Sequence, residues 1–281
     1  MQARYAGCLL AALLLSACGG GGKDETTTAA GPQRLDVTAR DFALKINGSP
    51  ALRPGPVQIT ARNSGKQAHG MVLVKLNDGV DQAALLDALK NRPDRIANLL
   101  TYVGGTTVLP NGASWQATTS FDPGNYAMLD VGTSTKGRYN FTRPGEVQAF
   151  TVSGKQVAAP TAEPSAEVAL YDYGIDIPKS IPANGQIKVE NTGEDDHQLA
   201  VIPVKNANEA KAILRAFKTG RGTRTTYRPV EVLAPTSGAT STTVRYQLPK
   251  GAYIAYCAYR TQRSGGRPHA SLGMVAAFAV K

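Results

Sequence analysis

Histidine and cysteine are scarce in this chain of 281 residues, three of each. Cys8 and Cys18 fall within the first eighteen residues, so Cys257 is the one thiol left for the folded part. A disulfide framework is therefore excluded, and the single thiol needs an explanation of its own. No Gly-x-Ser-x-Gly, His-Glu-x-x-His, Cys-x-x-Cys or phosphate loop occurs. That removes the sequence signatures of serine hydrolases, zinc proteases, thioredoxin-like oxidoreductases and P-loop enzymes. Acidic residues are the minority charge, 21 against 31 basic ones, for a net +10. No apolar run reaches the roughly 18 residues of a membrane helix. What is abundant is punctuation, with 29 glycines and 17 prolines, which predicts short strands and many turns.

The first stretch is not fold. Met1-Gln-Ala-Arg4 is a short basic segment and Tyr5 to Leu15 an apolar one, the pattern of an export signal. Leu15-Ser16-Ala17-Cys18 resembles the lipobox of bacterial lipoproteins. The resemblance implies a signal peptide over 1–17, lipidation of Cys18, and a chain hung from a membrane by acyl groups. Gly19 rather than Asp follows the cysteine. In a Gram-negative cell that implies the outer membrane, facing the periplasm. Residues 18–33, rich in Gly and Thr, read as a flexible tether. Export also argues against nucleic acid as a partner, despite the positive charge.

The rest is a duplication. Leu35-Asp-Val-Thr-Ala-Arg-Asp41 is matched by Glu167-Val-Ala-Leu-Tyr-Asp172, and Val57 to Gly65 by Ile187 to Gly193, each strand running into an Asn-x-Gly turn. His69 and His197 follow those turns and lie 128 positions apart; Tyr126 and Tyr253 lie 127 apart. Each half carries a helical insertion. Leu85, Leu86 and Leu89 in one and Ile213, Leu214 and Phe217 in the other fall on one helical face. A steady offset means two copies of one domain, 34–155 and 167–281, joined by a Pro/Ala linker over 156–166. The expected fold is all-β, two tandem Greek-key sandwiches of seven or eight short strands, each with a helical insertion.

Only the second copy gathers metal-ligand types. His197 opens the apolar run Gln198 to Pro203, and the closing strand–loop–strand return carries Cys257, His269 and Met274. Two imidazoles, a thiolate and a thioether are the donors of a trigonal copper site with a long axial bond. In the first copy Asp130 stands where Cys257 aligns, and Glu146 where Met274 does. The second copy resembles a cupredoxin, the plastocyanin and azurin family. A histidine follows an Asn-x-Gly turn, then come Gly251-Ala-Tyr-Ile-Ala-Tyr-Cys257 and His269-Ala-Ser-Leu-Gly-Met274. The resemblance covers about 167–281 and, more weakly, 34–153. It implies one copper ion held by His197, Cys257 and His269 with Met274 axial, and a metal-free first domain. The chain departs from the family in placing eleven residues between Cys257 and His269. That loop must bulge outward, and Gly265 and Gly266 permit the turn. Tyr253, Tyr256, Leu272 and Val275 are expected to form a hydrophobic rim around the thiolate.

Arg221, Arg224 and Arg228 follow the second helix, and Arg260, Arg263 and Arg267 lie in the loop between Cys257 and His269. If they share one end of the domain, they form a cationic rim that steers an acidic redox or copper-handling partner. Asp195 and Asp196 beside His197 read as a solvated turn. The first reading is thus a membrane-tethered copper lipoprotein of the cell envelope that passes single electrons or handles copper, and is not an enzyme. The second is a metal-free tandem sandwich that binds another envelope protein or a glycan. Failure of the long loop to bring His269 to Cys257 would favour the second.

Overall fold

A computed structural model describes residues 32–41, 43–47, 51–131, 146–159, 161–219 and 229–281. Cys18 and the expected signal peptide, and Arg221, Arg224 and Arg228, lie outside the described residues. Among the described residues no helix is long and apolar enough to cross a membrane.

The first repeat runs β1 (Gln33–Arg40), β2 (Ala43–Asn47), β3 (Gly55–Asn63), β4 (His69–Leu76), α1 (Gln82–Asn91), a 3-10 helix (Pro93–Asn98), β5 (Leu100–Leu109), β6 (Ser114–Phe121), β7 (Gly124–Asp130) and β8 (Val147–Val152). The second runs β9 (Ala166–Tyr171), β10 (Gly174–Asp176), β11 (Ser180–Ile181), β12 (Asn184–Asn191), β13 (His197–Val204), α2 (Ala207–Thr219), β14 (Val230–Thr236), β15 (Thr240–Gln247), β16 (Gly251–Tyr256), a 3-10 helix (His269–Leu272) and β17 (Val275–Val280). The strands alternate as a half-buried sheet requires: in β1, Leu35, Val37 and Ala39 are fully buried and their neighbours face outward. The helical insertions form where the periodicity predicts. Asp81 caps α1 by accepting from the Ala84 N–H, and Leu85, Ala88 and Leu89 are its buried face.

Each repeat is a two-layer sandwich. In both, the first strand pairs in parallel with a later one, β1 with β3 and β9 with β12. One layer of the first repeat has the order β5-β4-β7-β8; its counterpart in the second is β11-β17-β16-β13-β14. The other two layers join. Thr242–Val244 of β15 pair antiparallel with Ala117–Thr119 of β6, giving one sheet of order β10-β9-β12-β15-β6-β3-β1-β2. The repeats therefore share a sheet and a single apolar core that includes Val37, Leu73, Leu199 and Leu233. They also meet at β5 and β14. Gly104 is in the left-handed region (φ +137°), and a Cβ there would stand 2.9 Å from Leu233 Cδ1. The lone tryptophan crosses the same boundary, Trp115 Nε1 donating to the Val232 carbonyl at 3.3 Å.

Candidate metal centre

Three elements bring the donors together. β13 begins at His197, held by Asn191 just upstream, whose side-chain amide donates to the carbonyls of Asp195 (2.9 Å) and Thr236 (2.6 Å). β16 delivers Cys257 one residue past its end. The loop 258–268 bulges as expected, with Gly265 and Gly266 at φ +64° and +71°. It returns as the 3-10 helix that starts at His269. The return is pinned by backbone bonds, Ala270 N–H to the Cys257 carbonyl (2.8 Å) and Cys257 N–H to the Met274 carbonyl (3.2 Å).

The result is a closed cluster. His197 Nδ1 and His269 Nδ1 stand 3.0 Å apart, and Cys257 Sγ lies 3.6 Å from His269 Nδ1. One donor atom from each of His197, Cys257 and His269 fits within 4.8 Å of the others. All three residues and Met274 are 0% exposed, and Cys257 and Met274 belong to one buried cluster. Among the described residues no other group of three His, Cys, Asp or Glu has this metal-ready spacing.

The surroundings fix which nitrogens face inward. His197 Nε2 lies 2.9 Å from Asp172 Oδ1, an acceptor, so it carries the proton. Thr261 donates its hydroxyl to Asp195 Oδ2 at 2.6 Å, so toward His269 Nε2, 3.2 Å away, it accepts. Asp195 Oδ2 itself is 3.5 Å from His269 Nε2. Both Nδ1 atoms are thus bare, two lone pairs pointed at one another. Without a cation between them they repel; with one they are ligands. Burial, then the neighbouring His197, holds His269 below its ordinary pKa, which keeps the ring neutral as a ligand must be. Burial works to raise the Asp172 carboxyl, but hydrogen bonds from His197 and from the N–H groups of Asp195 and Glu194 outweigh it and hold it low. Burial pushes the Cys257 thiol up to about 12, against donation from the Gln198 N–H, 3.4 Å from Sγ. A thiolate here requires a cation beside it.

The residues present fit one copper ion in the second repeat: a soft thiolate, two bare imidazole nitrogens and a buried thioether side chain at hand. Two expectations need correction. Tyr256 and Val275 are not rim residues. With Phe217, whose ring stacks on Tyr256 at 5.0 Å, they pack beneath α2, because neighbours of Cys257 on alternating strands face the opposite side. Tyr173 and Tyr259 stand beside the site instead, with ring centroids 5.0 and 6.4 Å from His269. Asp195 is not a solvated turn residue but 5% exposed and bonded to the histidine shell. Arg260, Arg263 and Arg267 are exposed on the returning loop. Arg263 pairs with Glu194 at 2.8 Å and approaches Asp172 at 3.9 Å, and Arg260 donates to the Gly266 carbonyl at 2.8 Å.

Sequence reasoning passed over Asp172, Asp195 and the Gln198 N–H. A signal was available in the repeat. Asp41 stands opposite Asp172 in the first copy, whereas Gln67 stands opposite Asp195, so Asp195 occurs only where the full donor set does.

Strand order and donor set together describe a double sandwich of cupredoxin-like form with one candidate metal site in its second half. No protein-family model matches the chain, and no curated protein matches it in sequence. Solved structures do match. A reduced auracyanin from Roseiflexus castenholzii is 18% identical over 41% of this chain and 94% of its own, with a TM-score of 0.28. The copper nitrite reductase of Nitrosomonas europaea is 12% identical over 89% of this chain and 93% of its own, TM-score 0.25. A blue copper oxidase from the same organism is 9% identical over 89% and 86%, TM-score 0.27. These likenesses are distant, and the fold class stands on strand order and site geometry. The expectation that the chain is not an enzyme is not kept: matches that extend over most of the chain include a reductase and an oxidase.

Proposed function

We propose that the second repeat would hold one copper ion through His197, Cys257 and His269, with the buried Met274 thioether as a further ligand, and that the protein transfers single electrons. The observation that carries the reading is the pair of bare Nδ1 atoms 3.0 Å apart beside a buried thiol. The ion, when bound, supplies a one-electron couple. The chain's own residues do the rest. Asp172 and the Thr261–Asp195 pair hold the rings, and complete burial of the ligands excludes water. A rigid, dry site changes little between oxidation states, which favours fast exchange. The returning loop brings His269 to Cys257, which removes the sign that would have favoured the metal-free reading.

The lipobox-like Leu15-Ser-Ala-Cys18 supports anchoring through Cys18 to a membrane of the cell envelope. An acidic redox or copper-handling partner would meet Arg260, Arg263 and Arg267 on the exposed loop, with Arg263 sharing its charge with Glu194. The reading is tested by adding one equivalent of Cu(II) to the purified protein and recording its visible spectrum beside Cys257→Ala. An intense thiolate-to-copper band that is lost in the variant is expected. No band and no bound metal would overturn the copper site.

A further inference from the structure

The first repeat cannot assemble this donor set, since two of the three histidines are in the second. Its contacts nevertheless converge on the strand that feeds the site. Glu231 on β14 is a half-buried carboxylate at the boundary between the repeats. Its oxygens accept from the Thr107 N–H, from Thr107 Oγ1 at 2.7 Å and from Thr106 Oγ1 at 3.3 Å, all on β5 of the first repeat. From the other side Gln198 Nε2 reaches Glu231 Oε1 at 3.4 Å. Gln198 is also the residue whose backbone N–H points at Cys257 Sγ.

A second tie lies on the other side of the same residues. Asp196 Oδ1 accepts from Ser237 Oγ at 2.6 Å, and Ser237 in turn exchanges bonds with the Tyr102 backbone on β5 at 3.0 and 2.9 Å. Residues 196–198 are thus fastened to the first repeat at both ends. They need fastening, because the β13–β14 pairing shifts register between His197 and Leu199 and again between Leu199 and Ala200. A strand slipped off its ladder at Gln198 has lost the regular bonds that would otherwise fix the direction of that N–H.

Resting on the copper reading above, we infer that the metal-free first repeat is a working part of the copper site: through Glu231 and Gln198 it holds the N–H donor against the thiolate sulfur and so sets the reduction potential. An N–H aimed at sulfur withdraws charge from the thiolate and favours the reduced ion. Loosening it leaves more charge on sulfur and favours the oxidised ion. Thr106, Thr107 and Glu231 are positioning residues that act only through Gln198.

The test uses the full chain with Thr107→Val, with Glu231→Gln, and with Thr242→Val. The last removes an inter-repeat bond of the same kind, Thr242 Oγ1 to the Val103 carbonyl at 3.1 Å, away from Gln198. One copper per chain should be retained in all three. Thr107→Val should lower the reduction potential and shift the thiolate-to-copper band, Glu231→Gln should shift the band while its lost negative charge offsets the fall in potential, and Thr242→Val should leave both unchanged. In the metal-free chain the same two variants should speed hydrogen exchange at the Gln198 amide. A normal band in the parent chain with potential, band and exchange unmoved in both variants overturns the inference and leaves the copper site standing. Equal shifts in all three variants would overturn it as well, since general loosening would suffice. No copper uptake by the parent chain would overturn both.

Discussion

The two repeats hold the same frame around different centres. In each, an asparagine ties the turn before the histidine to the strand across the sandwich: Asn63 to the Gln67 and Leu109 carbonyls, Asn191 to those of Asp195 and Thr236. Each has an aspartate on the Nε2 side of the histidine, Asp41 at 3.4 Å from His69 and Asp172 at 2.9 Å from His197. The next backbone N–H points inward in both, Gly70 to Asp130 Oδ1 at 3.2 Å and Gln198 to Cys257 Sγ at 3.4 Å. The centres part on the inner side of the histidine. Asp130 closes on His69 Nδ1 at 2.5 Å, so carboxylates face both ring nitrogens and no ion is called for. Cys257 leaves Nδ1 of His197 bare and facing a second imidazole. A histidine in this fold is therefore kept by its outer bonds, and metal binding is decided by what stands on its inner side.

The sharpest way to break the comparison is on that inner side. Cys257→Ser should abolish the thiolate-to-copper band entirely, read by titration with Cu(II). Asp130→Cys should create no second band, because the first repeat gains a thiol beside His69 but has no second histidine. A new band in Asp130→Cys would show that one imidazole and a thiolate suffice here.

The next effect is on stability. Asp130→Ala leaves buried His69 without its inner partner, a loss of about 1–3 kcal/mol, read as a lower urea midpoint. Copper uptake by the second repeat should stay at one ion. Asp195→Asn should act in the opposite sense. It removes a charge from behind His269, which should weaken Cu(II) binding roughly 10- to 100-fold and raise the reduction potential. The converse change in the first repeat, Gln67→Asp, should leave copper binding as it is. Equal potentials in the parent and Asp195→Asn would reduce Asp195 to a loop fastener.

These contrasts also show what the sequence could and could not disclose. The duplication, the helical insertions and the cluster of His197, Cys257 and His269 were legible, because each leaves a local mark: an Asn-x-Gly turn, a helical period, a residue type in a set order. The aspartates behind the rings were not, since Asp172 lies 25 residues from His197 and Asp195 looks like any turn acid. Tyr256 was misplaced because adjacency to Cys257 in the chain means the opposite face of a strand. The shared sheet was also invisible. It depends on pairing Ala117 with Val244, and nothing in either strand distinguishes an edge that meets its twin from one that meets water.

The smallest expected effect concerns the joint between the repeats. Burial raises the Glu231 carboxyl above its ordinary value, against the hydrogen bonds from Thr107 and Thr106. Its bonding partners Thr106, Thr107 and Gln198 are uncharged, and burial together with the Glu231 charge pushes the nearby Tyr256 phenol up to about 12, so it stays neutral in the range that matters. A carboxyl raised in the folded state binds its proton more tightly there than in the unfolded chain. Its stabilising contribution is present below its ordinary pKa and is lost as pH rises through the raised one, at about 1.4 kcal/mol per unit of difference. The metal-free protein should therefore lose part of its stability as pH rises above the ordinary glutamate value of 4.5, and Glu231→Gln should remove that part of the slope. Urea midpoints of the two proteins at several pH values isolate it, because all other groups titrate alike in both. Parallel curves would mean that the bonds from the first repeat already compensate the buried charge, and that the two repeats are joined by an ionised carboxylate throughout.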